Sequence, residues 1–169
     1  METVSFSEAD WEKLISAQDG SVREISVWFR TKGSSMFPFI HSDTDSILLT
    51  PIEPQSAKIG DIVLFPDHRN GAHYCLHRLY KIDGDRVQTF GDGNLRPDGW
   101  MPKSKILGKA VLIQRGERQI LCDDPKWVRR SRVWTSLWRI RRVLLLPPRI
   151  SRKVRAGLLK CRRMLTSKK

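Results

Sequence analysis

Acidic residues stop at Asp124. Residues 126–169 hold 16 of the chain's 31 Lys and Arg and no Asp or Glu, so the formal charge of +13 sits in a C-terminal segment. What precedes it carries 15 basic against 18 acidic side chains and reads as a near-neutral domain. Cysteine is scarce too. Cys75, Cys122 and Cys161 are odd in number and widely spaced, which excludes a disulfide framework and a cluster of paired cysteines on a metal, and suits a reducing compartment. No stretch reaches the roughly 18 apolar residues of a membrane-crossing helix. The acidic start METVSFSEADWEKL lacks the basic-then-apolar order of a secretory signal. These absences lead us to expect one main domain in the cytoplasm, with no metal and no cofactor; 169 residues suffice for one core but not for two.

What is present is a series of short apolar runs. Ser7 and Asp10 open a helical pattern in which Trp11, Leu14 and Ile15 share a face until Gly20, so residues 1–22 are expected to form a short helical segment. In EISVWFR, Ile25, Val27 and Phe29 alternate with Ser26, Trp28 and Arg30, which is strand periodicity. Strands are likewise expected at 46–50, 61–65, 73–82, 86–90, 109–115 and 118–122. Asp83-Gly84 and Arg115-Gly116 fall between neighbouring runs and predict two hairpins. The fold class expected for residues 23–125 is therefore mainly β, a sheet rather than alternating strands and helices.

Candidate chemistry starts at GSSMFP, residues 33–38, directly after the EISVWFR strand. Serine there can cap a turn or, given a base, act as a nucleophile. Of the four histidines, His41, His68 and His73 lie in or beside turns, whereas His77 lies within a strand, on one face with Cys75 and Leu79. His77 can be a half-buried structural residue or a base. Asp92 and Asp98 stand in GDGNLRPDGW, a loop that a hairpin about Asp83-Gly84 would return toward His77. Each can cap a turn or orient a histidine, and serine, histidine and aspartate make a triad through geometry rather than chain order.

Four boxes in one order, GSSMFP at 33–38, GDIVLF at 60–65, HRLYKIDG at 77–84 and GDGNLRPD at 91–98, resemble the signal peptidase I family. The closer likeness is to its archaeal and endoplasmic-reticulum branch, which uses histidine as the base; the self-cleaving repressors of the DNA-damage response are more distant. The resemblance covers about residues 25–112 and implies a signal-peptidase-like β-sheet domain with serine endopeptidase activity. It implies Ser35 as the nucleophile, His77 as the general base, Asp98 as the acid of the triad and Asp92 as a supporting acid that orders its loop. The oxyanion would rest on the backbone N–H of Ser35, with help from Ser34, because Gly33 stands where the family commonly has a serine. Gly93 replaces an amide side chain of the family's Gly-Asp-Asn-Asn box. A histidine base implies activity that falls as pH drops through the histidine range.

Family members usually carry a transmembrane anchor, and the basic segment 126–169 is what this sequence offers instead. Trp127, Trp134 and Trp138 are interleaved with Arg up to Leu146, with Val133, Leu137, Ile140 and Leu144 at helical spacing. After Pro147-Pro148, Ile150, Val154, Leu158, Cys161 and Leu165 recur every three or four residues. Basic amphipathic helices with tryptophans suit an anionic membrane surface better than nucleic acid, whose phosphates gain nothing from regular apolar faces. The expectation is a peripheral protein at the inner membrane face acting on a peptide or protein substrate. The alternative is a noncatalytic protein of the same fold that uses its tail to bind membrane, nucleic acid or a partner.

Overall fold

A computed structural model describes residues 26–42, 44–67, 74–141 and 145. The expected N-terminal helix, His68, His73, and the apolar positions from Ile150 onward lie outside the described residues. The chain divides into two compact units between Thr135 and Ser136, and the first holds the sheet and every candidate site residue.

The domain is mainly β. Its strands are β1 (Val27–Phe29), β2 (Asp45–Pro51), β3 (Ile62–Pro66), β4 (Tyr74–Asp83), β5 (Arg86–Phe90), β6 (Trp100–Pro102), β7 (Gly108–Arg115) and β8 (Arg118–Leu121). They form one antiparallel, curled sheet in the order β1-β2-β7-β3-β4-β5-β6, with β8 paired to β7. Both expected hairpins close with two-residue loops: Asp83 pairs with Arg86 around Gly84 and Asp85, and Arg115 pairs with Arg118 around Gly116 and Glu117. The first loop residue is a glycine at positive φ in each, +52° at Gly84 and +58° at Gly116, the conformation that matches such loops to strand twist. The sequence pattern did not mark β6, which is three residues long and ends in proline at the sheet edge beside β5.

Burial follows the strand period. In β3 the unbroken apolar run is buried on both faces. Ile62 and Leu64 pack with Met36, Ile40, Leu49, Ile113 and Trp127, while Val63 and Phe65 pack with Ala57, Leu79, Val87 and Ile106. This is why β3 is a central strand, between β4 and β7. Helix α1 (Pro125–Ser136) starts where Asp124 Oδ1 accepts the N–H groups of Lys126 (2.8 Å) and Trp127 (3.0 Å), with proline as the first helical residue. Trp127 is buried in the first cluster, edge-on to Phe39 at 5.0 Å. The helix ends at Ser136, Leu137–Ile140 form turns, and Leu144 and Leu146 lie outside the described residues. Val133, Leu137 and Ile140 are exposed, and short helices hold through packing of the apolar face.

Candidate active site

Strand β4 presents its side chains alternately to the two faces of the sheet. Cys75, His77 and Leu79 lie on the face of the second cluster, and Leu76 and Arg78 on the face of the first. His77 is opposite Val63 and is buried, with Phe65 packed edge-on to its ring. Its Nδ1–H donates to Asp98 Oδ2 at 2.6 Å. Asp98 is fixed in turn: its N–H donates to the Thr89 carbonyl (2.9 Å), its Oδ2 accepts from Thr89 Oγ1 (2.7 Å), and its carbonyl accepts from Gln88 Nε2 (2.9 Å).

An ionised carboxylate only accepts hydrogen bonds, so Asp98 keeps the ring proton on Nδ1 and leaves Nε2 as the basic atom. Burial, the largest single influence, works against charge on the His77 ring, but the hydrogen bonds and charge interactions of Asp98 and Cys75 together outweigh it, and the pKa rises from 6.5 to about 9. The Nε2 atom meets Cys75 Sγ at 3.4 Å.

A second acid–base pair holds the other face. Arg78 donates from Nε (3.0 Å) and Nη2 (2.7 Å) to the two carboxylate oxygens of Asp92 and from Nη1 to the Gly60 carbonyl (2.9 Å), with its guanidinium over the Phe39 ring. Arg78 and Asp92 are both buried, so the fork geometry and full pairing are what make the two charges tolerable there. The Asp92 carbonyl accepts from Trp134 Nε1 at 2.8 Å.

This clamp presses the Gly91–Gly93 loop onto the serine loop. The Gly93 N–H donates to the Ser35 carbonyl at 2.6 Å, and a side chain at Gly93 would collide with the carbonyls of Ser34 and Phe37. A Cβ at Gly91 would lie 2.6 Å from the Ser35 carbonyl oxygen. Gly93 is therefore demanded by the close approach of two backbones. The serine loop is anchored beyond the contact by buried Met36 and Ile40. Arg115 also braces it, bonding the Phe39 carbonyl (2.8 Å) and both carboxylate oxygens of Asp45.

The structure thus joins His77 to Asp98, joins Asp92 to Arg78, and brings the Ser35 backbone against Gly93. Ser35 is half-buried and Ser34 exposed. Among the described residues no hydrogen bond links Ser35 Oγ to His77, and no backbone carbonyl accepts the Ser35 N–H. No group of three His, Cys, Asp or Glu that could hold a metal occurs among the described residues. Sequence reasoning missed Thr89 and Arg78, although the hairpin register carried the signal: Leu79 pairs with Thr89 and Arg78 with Phe90. Cys75 was legible as a neighbour of His77 on one strand face, but strand period alone gives it no chemical role. No protein-family model matches the chain, and neither does any characterised protein or solved structure.

Proposed function

We propose that the chain is a serine endopeptidase of the signal peptidase I type, in which Ser35 attacks the peptide carbonyl, His77 accepts its proton through Nε2 and Asp98 orients the ring. The observation that carries this reading is the 2.6 Å bond from His77 Nδ1 to the Asp98 carboxylate, which Thr89 holds while Gln88 holds the Asp98 backbone carbonyl, the support a general base requires. The clamp of Asp92 by Arg78, which sets the glycine loop under the Ser35 carbonyl, supports a role for Asp92 as the acid that orders the serine loop. The Ser35 N–H is the oxyanion donor in this reading, with Ser34 beside it. Catalysis requires Nε2 to accept from Ser35 Oγ in place of Cys75 Sγ. With the ring pKa near 9, the rate should climb about tenfold per pH unit from pH 6 to pH 8 and level off above 9, because only the neutral ring takes the proton.

The substrate is an extended peptide or precursor segment that adds to a strand edge of the sheet. The basic segment 126–169 brings the enzyme to an anionic membrane surface; Val133, Leu137, Trp138 and Ile140 are exposed apolar side chains among the described part of this segment, as interfacial seating requires. Among the described residues no helix is long and apolar enough to cross a membrane. Liposome flotation with and without residues 126–169 tests this seat, and equal flotation would remove it. A noncatalytic binding protein is the second reading, favoured by the one observation that the His77 Nε2 partner is Cys75 and not Ser35. Incubating wild type and Ser35→Ala with an extended-peptide library and anionic liposomes, with products read by mass spectrometry, separates the two: cleavage lost in Ser35→Ala supports the peptidase, and cleavage by neither supports the binding protein.

A further inference from the structure

Cys75 is a nucleophile that the proposed peptidase mechanism does not use, yet it occupies the basic atom of the site. Its sulfur lies 3.4 Å from His77 Nε2, and the 2.6 Å bond on the far side of the ring forces that atom to be the acceptor in the neutral imidazole. The thiol hydrogen therefore has an oriented base in front of it, and that base has its own fixed carboxylate. Thr89 and Gln88 hold Asp98 from two directions, so the ring cannot turn away without breaking its 2.6 Å bond to a fixed carboxylate. A thiol reacts as its thiolate, and an adjacent imidazole is the usual means of producing one. The other described cysteine offers an internal contrast. Cys122 is also half-buried and free, but burial pushes its thiol up to about 12, and among the described residues no imidazole bonds to it.

We propose that Cys75 is a covalent modification site for small electrophiles, above all low-molecular-weight disulfides, with His77 as its base and Asp98 as the positioning acid. The S–H proton passes to Nε2, the thiolate attacks one sulfur of R–S–S–R, and the S–S bond breaks. The leaving R–S⁻ takes the proton back from Nε2–H. The products are the mixed disulfide on Cys75 and R–SH: the protein sulfur is oxidised, the reagent is reduced, and no further oxidant enters. A thiol reductant reverses the step. The adduct stands where Nε2 must receive a proton, so modification occupies the base itself. The reactivity needs only the Cys75–His77–Asp98 arrangement and does not depend on peptidase activity.

The test uses the full chain carrying Cys161→Ser, so that the two described thiols compete. Glutathione disulfide and, separately, iodoacetamide are added at pH 9, where about half of the His77 rings are neutral, and the peptides bearing Cys75 and Cys122 are quantified over time by mass spectrometry. Cys75 should be consumed at least about tenfold faster than Cys122 in the folded protein. The two should react alike in concentrated urea, and His77→Gln should remove most of the difference. Equal rates in the folded protein, a Cys75 advantage that persists in urea, or an undiminished advantage in His77→Gln would each overturn the proposal. Should His77→Gln not fold, Asp98→Asn takes its place with the same readout, and the folded-against-urea comparison stands without any substitution.

Discussion

Replacing Asp98 by asparagine removes the charge that sustains the His77 imidazolium while keeping a side chain of the same size. In the folded protein the ring titrates near 9 and in the unfolded chain near 6.5. The sign follows from that order: a raised folded pKa contributes stability that is complete below pH 6.5 and is lost as pH climbs through 9. A shift of this size corresponds to about 3 kcal/mol at pH 5, somewhat less at pH 7 and almost nothing at pH 10. Wild type should therefore lose about 3 kcal/mol more than Asp98→Asn between pH 5 and pH 10, because in the variant burial of the ring is opposed only by Cys75. Urea unfolding at each pH, followed by circular dichroism, gives the difference directly. Titration of the His77 ring by NMR gives the pKa independently and should move down in the variant. Parallel stability curves for the two proteins, or a wild-type ring titrating at or below 6.5, would refute the reasoning that Asp98 helps sustain the charge on this buried ring.

Cys75→Ala should leave peptide cleavage intact or raise it, since Nε2 loses its competing partner; abolished cleavage would make Cys75 and not Ser35 the nucleophile. Arg78→Met alone strands the buried Asp92 carboxylate and should cost about 3–5 kcal/mol in urea unfolding, whereas Arg78→Met with Asp92→Leu should recover much of the loss. Gly93→Ala drives a methyl into the Ser34 and Phe37 carbonyls and should lower stability by about 1–3 kcal/mol and depress any cleavage, checked by thermal melts and by assay. Acid stability should depend on Asp45: burial pulls its pKa up, but hydrogen bonds from Arg115, the His41 N–H and Thr44 hold it below 3.8. The stability it contributes is present above pH 3.8 and is lost as pH falls through the folded value, so Asp45→Asn should flatten the acid limb of the stability curve.

The sheet was legible because its strands are short, alternate cleanly and are separated by turn formers. Register came with them once the Gly84 and Gly116 loops were recognised, since a two-residue loop fixes which residues pair. From that register the approach of Asp98 to His77 could be expected. The division of labour between the acids follows from strand alternation: His77 and Arg78 are neighbours in sequence but face opposite sides of the sheet, so each takes its own carboxylate.

The contact of Gly93 with Ser35 was not legible, because it joins two loops through backbone atoms alone and leaves no trace in periodicity. Nor was the edge strand Trp100–Pro102, which is too short and carries a proline. Helix α1 covers the first part of the expected stretch from Lys126, and its start was not legible because the Asp124 cap acts through one side-chain oxygen outside the apolar pattern.

The central claim, that Ser35 and His77 form a peptidase site, is tested most directly by a serine-directed fluorophosphonate probe on the full chain. The account predicts one adduct, on Ser35, formed faster as pH rises toward 9 and lost in both Ser35→Ala and His77→Gln. A folded wild-type protein that leaves Ser35 unlabelled across pH 6 to 10 would contradict it.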